Sequence, residues 1–202
     1  MEGLQEEDLE LVMPDAAEWR RWLVAHHADT PAVRLMLSRR GSSSVTQLTH
    51  ATALEEALAF GWIDGQARRR DASSWMIRFT PRRARSPWSK RNTEIAERLI
   101  AEGRMHPAGA AEIERAKADG RWDAAYAGPA TIEVPEDFEA ALDASAVAKD
   151  NFGRLTAQNR YAILYRLGSA KREETRARRI AEFVKMLEEG RTVYPQRAQL
   201  RR

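Results

Sequence analysis

A chain of 202 residues with 43% hydrophobic content can bury one substantial core, and no apolar run approaches the roughly 20 residues that span a bilayer. The absence of cysteine excludes disulfides, thiol catalysis and thiolate metal sites. Net charge is only +3, yet residues 1–18 carry seven acids and no base, whereas residues 65–93 carry nine bases against the single Asp71. Such asymmetry marks either an anionic partner or one part of the molecule neutralising another.

Residues 1–13 read as a flexible acidic lead. It is acidic where a signal peptide is basic and then apolar, so the expected compartment is the cytoplasm. Asp15-Ala-Ala-Glu18 fits a capping box opening a helix with Trp19, Trp22, Leu23 and His26 on one stripe. After Pro31, residues 32–39 alternate with Val33, Leu35 and Leu37 on one face, predicting a strand, and Gly41-Ser-Ser-Ser44 predicts a turn. Thr49 caps a helix through Phe60 with Leu54, Ala57 and Leu58 inward, closed by Gly61. Residues 62–70 and 74–80 form a hairpin around Asp71-Ala72-Ser73; alternation turns Trp75, Ile77 and Phe79 inward and Met76 and Arg78 outward.

The second half reads as helical. Ser86-Pro87 suits the N-cap and first position of a helix reaching Glu102 and stopped by Gly103. Pro107 starts another that ends near Gly120, and further helices are expected near 136–143, 157–167 and 170–189, the last with Ile180, Phe183, Val184 and Leu187 as its stripe. The fold class is therefore α+β: a small, mostly antiparallel sheet of about three strands packed with N-terminal helices, followed by an all-helical C-terminal half. The expected organisation is an α+β core with a helical extension at 14–128, an extended linker at 129–135, a helical part packing on the core at 136–195, and a tail at 196–202.

Six phrases carry a resemblance: EALAFGWIDG (56–65), RFTPRR (78–83), SPWSKRN (86–92), LIAEGRMHPAG (99–109), AKADGRWDAAY (116–126) and ETRARRIAEFVKMLEEGR (174–191). In this order they resemble the YdeI/OmpD-associated family, also called bacteriocin-protection proteins, over roughly residues 15–195. The resemblance implies a role in bacterial envelope stress or bacteriocin protection and brings no defined reaction.

Candidate chemistry concentrates in residues 54–92. Asp64, after Trp62 at a helix-to-strand turn, is the one candidate acid or base, if burial raises its pKa; capping of local amides is the competing account. In Pro81-Arg82-Arg83-Ala84-Arg85-Ser86-Pro87-Trp88-Ser89, guanidinium groups, hydroxyls and a helix N-terminus together suit a phosphate or carboxylate, with Trp88 as a stacking face. The alternative is a capped helix with Trp88 in the core. The candidate ligand-binding set is Trp62, Asp64, Arg82, Arg83, Ser86, Trp88 and Asn92, for a small anionic ligand or an acidic protein surface.

Nucleic acid fits less well, because alternation turns Trp75 inward and no recognition signature is present. The four histidines show no ligand spacing, so neither a metal nor a cofactor is expected. In the last helix Glu174–Arg178 and Arg178–Glu182 stand four residues apart and compensate one another. The leading expectation is a non-enzymatic binding or stress-protection protein. An enzyme using Asp64 on a phosphorylated or carboxylated metabolite is the alternative, and nucleic-acid binding the third reading.

Overall fold

A computed structural model describes residues 8–38, 46–197 and 200–201, and these fall into two compact units, 1–125 and 126–202. The turn expected at Gly41–Ser44 lies outside the described residues. No helix among them is long and apolar enough to cross a membrane.

The first unit is built on β1 (Leu9–Leu11), β2 (Val33–Ser38), β3 (Trp62–Arg69) and β4 (Ser74–Pro81), ordered β1-β2-β4-β3. The sheet thus has four strands rather than three, because part of the lead pairs in parallel with β2, Glu10 opposite Arg34. The other pairings are antiparallel, with Leu35 opposite Ile77 and Val33 opposite Phe79. Asp71 closes the β3–β4 hairpin by accepting from the backbone N–H groups and hydroxyls of Ser73 and Ser74 at 2.7–2.9 Å. Those bonds, the Ser74 hydroxyl's first, hold its carboxyl well below the usual carboxylate range.

One face of the sheet presents Val33, Leu35, Leu37, Ile77 and Phe79 to α1 (Ala16–His26) and α2 (His50–Ala59), which answer with Trp19, Leu23, Leu54 and Leu58. Each fully buried side chain of this size contributes about 1.5–3 kcal/mol of transfer free energy, which is what holds the helices to the sheet. Local signals fix the helix ends. Asp15 accepts from the Glu18 N–H at 2.9 Å, Thr49 and Thr52 form a reciprocal capping box, and Gly61 takes φ +75 at the α2–β3 corner.

Two expectations for this unit are corrected. Met76 is not outward in the sense of exposed: it is 1% accessible, because it sits opposite Met36 and Arg70 reaches across to the Met36 sulfur. The helix after the hairpin is α3 (Lys90–Ala101), with Ser89 rather than Ser86 as its N-cap. Ser86 is engaged three residues earlier, where its hydroxyl accepts the Arg83 N–H at 3.0 Å and closes a turn. Both serines offer the same chemistry, and the tertiary need to bury Trp88 decides between them. α4 (Pro107–Ala118) completes the unit, so close to α2 that a Cβ added at Gly109 would lie 2.3 Å from the Ala59 carbonyl oxygen.

The second unit comprises α5 (Glu136–Asp143), α6 (Ala146–Gly153), α7 (Ala157–Gly168) and α8 (Glu173–Glu188) around Phe138, Phe152, Ile163, Leu164, Leu167 and Leu187. Four helices stand where three were expected. The extra one, α6, is capped by Ser145 and lasts only eight residues, too short for a legible stripe. Beyond α8 the chain runs back over the bundle, held by two buried asparagines. The Asn159 carboxamide bonds both the N–H and C=O of Tyr194, at 2.8 and 3.0 Å, and Asn151 does the same at Arg201, at 2.7 Å for each.

Candidate functional site

The seven residues singled out in the sequence lie in three settings within the first unit. Trp62 is core: 1% accessible, it meets Trp19 and Trp22 edge-on and donates its indole N–H to the His27 carbonyl at 3.1 Å. Asp64, two residues further along the same strand, is half-buried and places Oδ2 2.8 Å from Nε2 of His50. His50 is the first residue of α2, so helix start and strand start meet through this pair. No sequence spacing pointed to His50, because its contact depends on how α2 lies on the sheet.

Arg82, Arg83, Ser86, Trp88 and Asn92 belong to the strand exit and the opening of α3. The Arg82 N–H donates to the Gly61 carbonyl at 2.9 Å, which ties the strand exit to the α2–β3 corner. Its side chain is buried, 5% accessible, with Cζ 3.7 Å from the Trp88 ring centroid and one amino group donating to the Pro87 carbonyl at 2.7 Å. Trp88 is 1% accessible and packs 4.9 Å from Trp122. The Ser86 carbonyl accepts from Arg121 at 2.9 Å, and Asn92 is buried in the first turn of α3. Arg83 and Arg85 project into solvent.

A cluster of arginines that meets carboxylates lies elsewhere, on the sheet face opposite α1 and α2. Asp8 receives the Arg78 guanidinium through two bonds, Nε at 2.8 Å and Nη2 at 3.0 Å, and Arg34 Nε lies 3.2 Å from the same carboxylate. Glu10 pairs with Arg68 on the same face. The Arg78 hydrogen bond, reinforced by its charge and those of Arg34 and Arg68, lowers the Asp8 pKa below its ordinary value. A fork that holds one carboxylate by two parallel bonds, with a second guanidinium beside it, is carboxylate- or phosphate-reading geometry. The charge asymmetry of the sequence is the signal that anticipated this meeting, and the pairing of β1 with β2 is what brings the two segments together.

Two further polar clusters lie in this unit. Glu56, 6% accessible, is held between Arg20 and Arg104, each at 2.7 Å. His27 and His106 meet edge-on at 4.9 Å, with His106 stacked on Phe60 at 4.5 Å. Burial, then the charges of His27 and Arg20, lower the His106 pKa. No group of three or more metal-ligating side chains occurs among the described residues.

Comparison with known families divides the chain in two. Residues 11–112 match the family model described as "Domain of unknown function (DUF8412)", just over half of the chain. Residues 131–190 match the model described as "Bacteriocin-protection, YdeI or OmpD-Associated", so the resemblance read from the six phrases is supported in the second unit, over part of the chain. The phrases FGWIDG, RFTPRR and SPWSKRN lie inside the first match. No curated protein and no solved structure matches the chain.

Proposed function

Because the chain belongs to the family described as a domain of unknown function (DUF8412) and carries a bacteriocin-protection, YdeI or OmpD-associated segment, no activity comes with its membership, and we propose from the geometry that it is a non-enzymatic binding protein for an acidic partner. The partner's carboxylates fall on the arginine-bearing sheet face. The observation that carries this reading is the Asp8 carboxylate gripped by the Arg78 fork with Arg34 beside it. The role is one of stress protection in the cytoplasm, and the exposed Arg83 and Arg85 serve as accessory contacts for an anion. Arg82 and Trp88, buried against one another, supply the shape of that corner rather than its contact surface.

Binding of polyglutamate to the full chain, followed by microscale thermophoresis across a salt series, tests the reading. Affinity should fall steeply with salt and drop at least tenfold in the Arg34→Gln/Arg78→Gln variant. Equal affinity in that variant would sink the proposal.

One observation favours a second reading, an enzyme on a phosphorylated or carboxylated metabolite. The half-buried His50–Asp64 pair, 2.8 Å apart, has the form of an imidazole oriented by a carboxylate, which can carry a proton to and from a substrate. Turnover of any member of a metabolite library, abolished by Asp64→Asn at unchanged melting temperature, would favour it over binding alone.

A further inference from the structure

β1 is the segment of the first unit most easily lifted from its place. It has three residues, lies at the sheet edge, and pairs on one side only, in parallel with β2. Short parallel pairing is the less stable kind, and an edge strand leaves half of its backbone groups outside the ladder. Leu9 is 53% and Val12 48% accessible, and within the strand only the half-buried Leu11 packs against the core. Beside that contact and the ladder, charge holds it: Asp8 in the Arg34–Arg78 fork and Glu10 on Arg68. Its C-terminal end is fastened separately, where Thr46 donates to the Met13 carbonyl and the Gln47 N–H donates to the Pro14 carbonyl at 2.7 Å. The strand can therefore swing away on a hinge at residues 13–14 without disturbing α1.

We infer that β1 is a resident stand-in for the partner, a removable acidic lid on the site, and that the partner is itself an extended acidic peptide that adds to the edge of β2. This rests on the reading of the arginine face as a binding surface. The resident shows which chemistry fits: carboxylates at alternate positions, 8 and 10, toward the arginines, and aliphatic residues at 9 and 11 toward the other face, where Leu11 packs against the core. Strand addition supplies affinity through the backbone of β2, and the acidic–aliphatic alternation supplies specificity. A nucleic acid offers phosphates but neither the ladder partners nor the aliphatic side chains. With the lid in place the arginines are neutralised, so the free chain does not present them to every passing anion.

The test uses the full chain, a labelled peptide copying residues 6–13, and a control peptide in which its acids are amides. Fluorescence anisotropy at low salt should show the Asp8→Asn/Glu10→Gln variant binding the acidic peptide at least tenfold tighter than the wild-type chain, with the control peptide unbound. Equal affinity of wild type and variant overturns the lid and leaves the face as a binding surface. Affinity of the lid variant that survives adding Arg34→Gln and Arg78→Gln overturns the face itself. No binding by either form, or displacement of the peptide by an equimolar oligonucleotide, overturns the acidic-strand partner. A measurement on the wild-type chain alone guards against misfolding of the variant. At saturating peptide, hydrogen exchange at the amides of Leu9–Leu11 should speed up, and unchanged exchange with peptide bound rules the lid out.

Discussion

Arg82 sits over Trp88, its guanidinium carbon 3.7 Å from the ring centroid, while the same guanidinium donates to the Pro87 carbonyl at 2.7 Å. A desolvated cation over an indole contributes about 2 kcal/mol, and a charged donor on a carbonyl about 1.5–3 kcal/mol. The contact therefore fastens the strand exit to the start of α3.

The first prediction separates that role from ligand contact. Arg82→Ala should lower unfolding free energy by about 2–4 kcal/mol, measured in urea by circular dichroism, because it also leaves a cavity beside Trp88. Arg83→Ala, at an exposed position, should stay within about 0.5 kcal/mol. If the two variants are equally stable, the Arg82–Trp88 stack is ornamental and Arg82 returns to the set of ligand contacts.

Local chemistry in the sequence was enough to place most elements of the first unit. Asp15 and Thr49 had hydroxyl or carboxylate acceptors at the right offset, Gly61 could take a positive φ, and Val33-Leu35-Leu37 alternated without interruption. What escaped needed the third dimension. β1 is three residues long and becomes a strand only because β2 offers an edge and three arginines offer counter-ions. Ser86 and Ser89 were equivalent as caps until Trp88 had to be buried between them. The site followed the same rule. Asp64 was visible, His50 was not, because they stand fourteen positions apart in the chain and only packing closes the distance. Glu56 lies off the inward stripe of Leu54, Ala57 and Leu58, yet is buried between two arginines.

Close approach of α4 to α2 supplies the second prediction. A methyl at Gly109 would meet the Ala59 carbonyl oxygen at 2.3 Å and Met105 Sδ at 2.6 Å, and backbone cannot give way as a side-chain tip can. Gly109→Ala should cost about 3 kcal/mol, at the upper end of overpacking penalties. Gly103 has φ +67 but nothing within 4 Å of its virtual Cβ, so Gly103→Ala should cost only the left-handed backbone term, about 1–2 kcal/mol. Reversal of that order in thermal melts would show that α4 does not pack on the end of α2 as described.

Acid should weaken the fold in two steps. Burial first, then the charges of His27 and Arg20, lower the folded-state pKa of His106 below its ordinary value of about 6.5. The unfolded chain therefore takes up that proton more readily. The contribution of neutral His106 is fully present above about pH 6.5 and is lost as pH falls from there through the folded-state value. Asp8 is a carboxylate lowered chiefly by its Arg78 hydrogen bond, so its contribution is present above about pH 3.9 and is lost as pH falls through its own lowered value. His106→Asn keeps a capping acceptor for α4 and should flatten the stability loss that begins below about pH 6.5 while leaving the lower, carboxylate step intact. An unchanged onset of that loss would assign the first step to another group.

The asparagine clamps in the second unit give the last prediction. Asn151 is fully buried and its carboxamide makes three bonds: its amino group donates to the Leu187 carbonyl at 2.8 Å and to the Arg201 carbonyl at 2.7 Å, and its oxygen accepts the Arg201 N–H at 2.7 Å. Asn159, 1% accessible, bonds the Tyr194 backbone in the same two-sided way, and its amino group also donates to Gln196 Oε1 at 2.9 Å. Truncation of either should cost about 2–3 kcal/mol, because each leaves the backbone groups it bonded without that partner. Asn151→Asp keeps the shape but turns both donors into acceptors, setting carboxylate oxygen against two carbonyls, and should be worse than alanine. Hydrogen exchange locates the effect. The Arg201 amide should lose protection in the Asn151 variants and the Tyr194 amide in Asn159→Ala, each leaving the other clamp closed. Simultaneous loss at both amides in either variant would mean that the segment after α8 is held as one cooperative strap rather than by two independent fastenings.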